Sequence, residues 1–200
     1  MKHYYTDNTD LESKPTSFTF QYKDKEIKFT SDIGVFSKTM IDYGSRVLLD
    51  AFELKNENAS ILDVGCGYGT FGISLKVLYP QLTVTMVDVN DRALSLCQNN
   101  AIDNDVQATI FKSFIYQEVT NSYDYILTNP PIRAGKEVVH EILEKSINHL
   151  NEDGELWVVI QKKQGAPSAM KKMEEVFGNC KIIKKDKGYN ILCSKKSSNM

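Results

Sequence analysis

Apolar and polar positions along this 200-residue chain fall into two rhythms that divide it almost end to end. The first dozen residues are polar and are expected to fray. Thr16-Ser17-Phe18-Thr19-Phe20-Gln21-Tyr22 and Glu26-Ile27-Lys28-Phe29-Thr30 alternate with period two, and Lys23-Asp24-Lys25 between them predicts a β-hairpin. From about Lys38 to Leu54 the spacing becomes helical, with Ile41, Val47, Leu48, Leu49 and Phe52 forming a buried face. Short apolar runs then recur at 60–64, 82–87, 107–112, 124–128 and 155–160, and each predicts a buried strand. Helical spacing follows at 71–78 and 91–103, where Asn90 is placed to cap and Ala93, Leu94, Cys97 and Ala101 line one side. A further helical pattern runs through Val138, Val139, Ile142, Leu143, Ile147 and Leu150, closed by a turn at Asp153-Gly154. Pro167 opens another helix, whose Met170, Met173, Val176 and Phe177 read as core filling. Lys181–Lys184 and Tyr189–Cys193 predict a hairpin around Asp186-Lys187-Gly188. Alternating βα units ending in a hairpin fit an α/β fold with a seven-stranded, mostly parallel sheet in which only the last pairing is antiparallel.

Composition narrows this picture only modestly. Two hundred residues suffice for one full-core α/β domain, and 42% hydrophobic content is ordinary for a soluble enzyme. No run of 18 apolar residues occurs and the first residues carry no apolar signal region, so a cytoplasmic location without membrane association is expected. Cys66, Cys97, Cys180 and Cys193 lack C-x-x-C spacing, and His3, His140 and His149 form no ligand pair. Reduced core thiols and no metal site are expected. Charge is uneven: residues 1–132 hold 11 Lys and Arg against 17 Asp and Glu, whereas residues 133–200 hold 13 against 9. Most of those lysines read as solvated side chains.

Candidate chemistry concentrates at strand ends. Asn129-Pro130-Pro131-Ile132 closes the apolar run Tyr125–Thr128. In an open α/β sheet, residues just past a strand's carboxyl end face the ligand crevice. Two prolines make that turn stiff, so the Asn129 side-chain oxygen and the Pro130 carbonyl can point together as two acceptors, a match for a planar –NH2 group. Upstream, Ile61-Leu62-Asp63-Val64-Gly65-Cys66-Gly67-Tyr68-Gly69 runs from a strand into a glycine-rich turn before a helix. The dinucleotide pattern G-x-G-x-x-G would need glycine at position 70, which is Thr70. Asp63 sits inside the strand end, and Asp88 ends the next strand 21 positions past Gly67, the spacing at which a carboxylate takes ribose hydroxyls. Ala134-Gly135-Lys136-Glu137 is no P-loop, because Pro130 and Glu137 break the pattern. Arg133 and Lys136 flank the proline turn, which sets them apart from the other basic residues as candidate phosphate contacts.

Taken together, these segments resemble the class I S-adenosylmethionine-dependent methyltransferases over roughly positions 30 to 200. Asp63 with the Asp63-Val64-Gly65-Cys66-Gly67-Tyr68-Gly69 turn matches that family's cofactor loop, Asp88-Val89-Asn90 its ribose acid, and Asn129-Pro130-Pro131-Ile132 its amino-methylating motif. Gly34-Val35-Phe36-Ser37 and Asn129–Lys136 are more narrowly similar to the short, single-domain bacterial small-subunit ribosomal RNA guanine-N2 methyltransferases. The resemblance implies a Rossmann-like class I methyltransferase domain over 31–200, with residues 1–30 an extension carrying the hairpin. It implies S-adenosyl-L-methionine as cofactor, held by Phe36, Ser37, Asp63, Gly65, Gly67, Gly69, Asp88, Val89 and Asn129. Asn129, Pro130 and Pro131 are the implied catalytic set, and Ile132, Arg133 and Lys136 the implied substrate contacts. Longer relatives carry a second, noncatalytic copy of the domain, for which this chain has no room. One departure stands out: most amino-methyltransferases place an aromatic residue after the prolines to stack on the base, and this chain has Ile132, leaving Phe36 a candidate for that role.

The expected function is methyl transfer to an exocyclic amine, first of all guanine N2 in ribosomal RNA or the small ribosomal subunit. Adenine N6, cytosine N4 and a protein glutamine amide present the same –NH2 and remain alternatives. A nonenzymatic RNA- or nucleotide-binding module on the same fold is a third reading.

Overall fold

The computed structural model describes residues 10–35 and 40–198. Strands β1 (Thr16–Tyr22) and β2 (Lys25–Ser31) form the expected antiparallel hairpin, in register from Thr16 opposite Ser31 to Tyr22 opposite Lys25. The main sheet has seven strands: β3 (Ser60–Val64), β4 (Thr83–Asp88), β5 (Thr109–Lys112), β6 (Tyr123–Thr128), β7 (Leu150–Gln161), β8 (Lys181–Asp186) and β9 (Tyr189–Lys195). Their spatial order is β5-β4-β3-β6-β7-β9-β8. The first five run parallel, and β9 runs antiparallel to both its neighbours. The last strand is thus antiparallel, as the pattern predicts, but it inserts between β7 and β8, so two pairings rather than one are antiparallel. Burial explains the insertion. Asn190–Ser194 of β9 are all buried, which suits an interior strand, whereas lysine-rich β8 is exposed almost throughout and takes the edge.

Helices α1 (Tyr43–Ala51), α2 (Thr70–Leu78), α3 (Asp91–Asp103), α4 (Lys136–Lys145) and α5 (Ala166–Phe177) connect and cover these strands. Two apolar clusters result. One joins the hairpin's Tyr22, Ile27 and Phe29 to α1, α2, α3 and one sheet face; the other joins α4 and α5 to the opposite face. Strand β3 is buried from Ile61 to Val64 without alternation, because both its faces are covered, the condition under which a parallel strand reads as a near-continuous apolar run. Helix α1 is shorter than the predicted 38–54 span. Asp42 caps it, accepting from the Ser45 N–H at 3.1 Å, and the backbone turns extended at Phe52; residues 38 and 39 lie outside those described. The predicted helical run to Leu150 stops at Lys145, continues as a 3₁₀ turn over Ser146–His149, and Leu150 instead begins β7 opposite Tyr123. The expected turn at Asp153-Gly154 is an irregularity inside β7, where Asp153 takes φ 63°.

The hairpin's outer edge is covered in an unusual way. Asn100 on α3 and Asn104, the residue that caps its carboxyl end, lie one turn apart, and each side-chain amide pairs with one backbone unit of β2. Asn100 accepts from Thr30 N–H at 2.8 Å and donates to Thr30 O at 3.0 Å; Asn104 accepts from Lys28 N–H at 3.0 Å and donates to Lys28 O at 2.7 Å. Two asparagines therefore stand where a third strand would. Asn100 also donates to Tyr68 O at 2.9 Å, in the glycine turn. Among the described residues, no helix is long and apolar enough to cross a membrane.

Candidate active site

The carboxyl ends of β3, β4 and β6 converge on one crevice. Gly65 and Cys66 donate from their N–H groups to Val87 O, both at 2.9 Å, which bends the chain leaving β3 across the end of β4. Gly65, Gly67 and Gly69 all have positive φ. A Cβ on Gly67 would meet nothing within 4 Å, so its backbone faces open space. A Cβ on Gly69 would lie 2.4 Å from Ile73 Cδ1, so that glycine serves close packing at the start of α2. Gly69 offers no side-chain cap; Asp63 supplies one from β3, accepting from Gly72 N–H at 3.2 Å.

Both sequence-predicted acids turn inward. Asp63 is fully buried and its Oδ1 has no hydrogen-bond partner. Burial pushes its carboxyl up to about 7, opposed by the Gly72 N–H and reinforced by the nearby Asp88 charge. Asp88, also buried, accepts from Gly67 N–H at 2.8 Å and from Asn90 N–H at 2.9 Å. Burial raises its pKa, and the N–H groups of Asn90, Gly67 and Val89 oppose that rise. Asp88 thus ties the glycine turn to the end of β4. Asn90 caps α3 as predicted, accepting from Ala93 N–H at 2.9 Å, and half-buried Val89 lies between these two residues.

Asn129 follows β6 at the crevice. Its Nδ2 donates to Asp42 Oδ2 at 3.3 Å and to Ser45 Oγ at 3.1 Å, both at the amino end of α1. A carboxylate only accepts, so Asp42 fixes the amide with its NH2 toward α1 and leaves Oδ1 on the other side. Burial raises the Asp42 pKa, while the Ser45 and Asn129 hydrogen bonds oppose it. Pro131 O accepts from Ala134 N–H at 2.9 Å, closing the 3₁₀ turn Ile132–Ala134. By contrast, Asn129 Oδ1 and Pro130 O receive no hydrogen bond among the described residues. Asn129, Asp42 and Ser45 line one cleft with Gly65, Gly67 and Phe71. A larger surface hollow lies by the strand starts Ser60, Thr83 and Thr109, remote from these groups, and gathers no comparable chemistry.

Ile132 packs against the apolar cluster beneath α4 and β7, while Arg133 and Lys136 are both exposed beside the motif. Phe36 and Ser37 lie outside the described residues. Asp42 and Ser45 are the pair that sequence reasoning misses. Their local signal, an acid three residues before a serine, announces a helix cap, and nothing local announces a partner 87 positions away. Among the described residues no group of three metal-ligating side chains occurs, and Cys66, Cys97 and Cys193 are buried free thiols.

Comparison with known proteins agrees with this architecture. The signature described as methyltransferase small domain matches residues 26–193, and the chain belongs to that family. It is 48% identical over 198 residues to the uncharacterized protein YbxB of Bacillus subtilis, covering 98% of both chains. It is 30% identical over 191 residues to ribosomal RNA small subunit methyltransferase C of Vibrio cholerae, covering 94% of this chain and 55% of that one. The fold superposes with TM-score 0.83 and 24% identity on a T. thermophilus 16S rRNA N2 G1207 methyltransferase in complex with AdoMet and guanosine, covering 93% of this chain and 52% of that one. The chain therefore spans about half the length of these ribosomal RNA methyltransferase relatives.

Proposed function

We propose that this chain transfers a methyl group from S-adenosylmethionine to the N2 amine of a guanine in small-subunit ribosomal RNA. The observation that carries the reading is the pair of unclaimed acceptors, Asn129 Oδ1 and Pro130 O, beside a glycine turn whose Gly67 backbone faces open space. The relatives' activities favour guanine N2 in ribosomal RNA over other exocyclic amines.

The residues fit the cofactor. Gly67 leaves the turn's backbone open at the cleft, and Asp63 Oδ1 is an acceptor still unused. Asp88 keeps acceptor capacity on its carboxylate beyond the backbone N–H groups of Gly67, Asn90 and Val89 that face it. Bound there, S-adenosylmethionine supplies an electrophilic methyl group on a sulfonium. The chain's own contribution is orientation. Guanine N2 is a poor nucleophile because its lone pair is delocalised into the ring. Accepting both N–H bonds through Asn129 Oδ1 and Pro130 O holds the amine and turns that lone pair out of the ring plane. The same two dipoles stabilise positive charge as it develops on nitrogen, and Pro131 keeps their spacing rigid. Asp42 and Ser45 keep Asn129 from rotating its NH2 into the site. Arg133 and Lys136 contact RNA phosphates.

The test is methyl transfer from labelled S-adenosylmethionine to 16S ribosomal RNA and to small subunits from a strain lacking this gene. Nucleoside mass spectrometry should then detect N2-methylguanosine. A different methylated nucleoside would reassign the acceptor, and labelled protein glutamine would remove RNA as the substrate.

A further inference from the structure

We propose that Lys162, Lys163 and Lys187 form a second phosphate track, which carries the RNA strand across the crevice on the side of β7, β8 and β9; this rests on the RNA reading above. Strand register puts these residues at the same end of the sheet as Asn129. Thr128 pairs with Val158, three residues before β7 ends at Gln161. Gln161 and Asp186 both pair with Tyr189, so the turn after β7 and the Lys187-Gly188 turn after β8 lie side by side. Lys162 N–H donates to Gly188 O at 2.8 Å and joins the two turns directly.

A chain of contacts then leads back to the reaction centre. Lys187 Nζ stands 4.9 Å from the centre of the Tyr43 ring, and Tyr43 OH donates to Asp186 Oδ1 at 3.0 Å. Tyr43 is the residue after Asp42, which holds Asn129. Asp186, the acid next to Lys187 in sequence, is thus already engaged by a hydroxyl. Lys162, Lys163 and Lys187 are all exposed, and none has a carboxylate at ion-pair distance among the described residues. Lys145 and Lys195, at the far end of the sheet, are by contrast paired with Glu141 and Asp153. A base presented to Asn129 has a backbone leaving in two directions. Arg133 and Lys136 meet one, and the lysines on the two turns meet the other. Half-buried Tyr43 and Tyr189, with ring centres 5.9 Å apart, border the same track and offer faces for stacking.

The experiment measures binding of a fluorescein-labelled, mixed-sequence single-stranded RNA, about 20 nucleotides long to exceed one single-strand site, by anisotropy across a KCl series. It compares wild type, the triple variant Lys162→Gln, Lys163→Gln, Lys187→Gln, and a control with Lys145→Gln and Lys195→Gln. Glutamine removes charge and keeps most of the length, and all five side chains are exposed, so melting temperatures should stay unchanged. For single strands the log–log salt slope falls by about 0.7 for each phosphate left unneutralised, so the triple variant should lose about 2 from its slope and bind roughly a hundredfold more weakly at about 0.1 M salt. The control should match wild type. If wild type methylates RNA and the triple variant keeps the wild-type slope, the track is wrong and the activity stands. If the slope falls as expected while no methyl group is transferred to RNA, the track stands and the proposed activity is wrong. Polyglutamate binding that depends on the three lysines, with no RNA binding, would assign the surface to an acidic protein and overturn the track.

Discussion

Replacing Asn129 with alanine separates chemistry from folding, because the two effects differ in size. The substitution removes hydrogen bonds of 3.3 and 3.1 Å to Asp42 and Ser45. Both are long, so together they contribute about 1–2 kcal/mol of stability. For a chain of this length that lowers the melting temperature by about 2–8 °C. A domain stable by about 5–15 kcal/mol stays almost entirely folded at 25 °C after such a loss. The missing Oδ1 dipole, by contrast, should slow methyl transfer by about 10²–10³, or about 2.7–4 kcal/mol of transition-state stabilisation. S-adenosylmethionine affinity should fall far less than the rate, since Asn129 is one contact among several and the glycine turn and both buried acids are untouched. Calorimetry gives the affinity, a melting scan the stability, and labelled methyl transfer at about 25 °C the rate. Near wild-type transfer per folded molecule would refute the amine clamp and leave the proline turn a purely structural feature.

Three further outcomes follow from the same site. Asn129→Asp would set a second carboxylate against Asp42, and two adjacent carboxylates resist joint ionisation. The folded pKa of the pair should therefore rise above its unfolded value, so the variant should match wild-type stability near about pH 4 and fall progressively below it as pH rises. Equal melting temperatures at about pH 8 would show that the Asp42 contact is absent. Asp88→Ala removes the acceptor for Gly67 and Asn90 N–H groups and should cut S-adenosylmethionine affinity more than about tenfold, each bond to a charged group contributing about 1.5–3 kcal/mol; unchanged affinity by calorimetry would sink the assignment. Asp63, pushed up to about 7 in the folded chain, contributes stability that is complete below about pH 4 and lost as pH rises through about 7. Asp63→Asn should abolish that slope, and a wild-type and variant pair whose melting temperatures run parallel from about pH 4 to 8 would show that Asp63 does not titrate in this range.

Much of the fold is legible because buried parallel strands announce themselves as apolar runs, and the glycine turn and Asn129 each end one. The order of the last strands is less open to reading. A hairpin pattern says that β8 and β9 pair, not which of them docks on β7; only the contrast between the lysines of β8 and the apolar Ile191-Leu192-Cys193 of β9 carries that choice. The start of α1 shifts for a similar reason, since apolar periodicity extends past the cap that ends it. Acids at strand ends are visible in sequence, but their direction is not. Asp88 spends a bond on the Gly67 N–H of the glycine turn and Asp63 one on the Gly72 N–H of α2, an arrangement set by tertiary approach rather than by spacing. Asp42 and Asn129 meet for the same kind of reason, through the docking of α1 on the sheet.

Asn100, one of the two asparagines that cover the hairpin's edge, also makes that edge thermodynamically continuous with the glycine turn. Its one side chain holds Thr30 through two bonds and Tyr68 O through a third. A ligand that orders the turn must then order β2 as well, and the coupling is reciprocal: whatever factor the hairpin adds to ligand affinity, the ligand returns to hairpin stability. Slowed amide exchange at Thr30 on ligand binding would be its signature. The strand that Asn100 grips is thereby tied to the glycine turn, although the chain reaches it first.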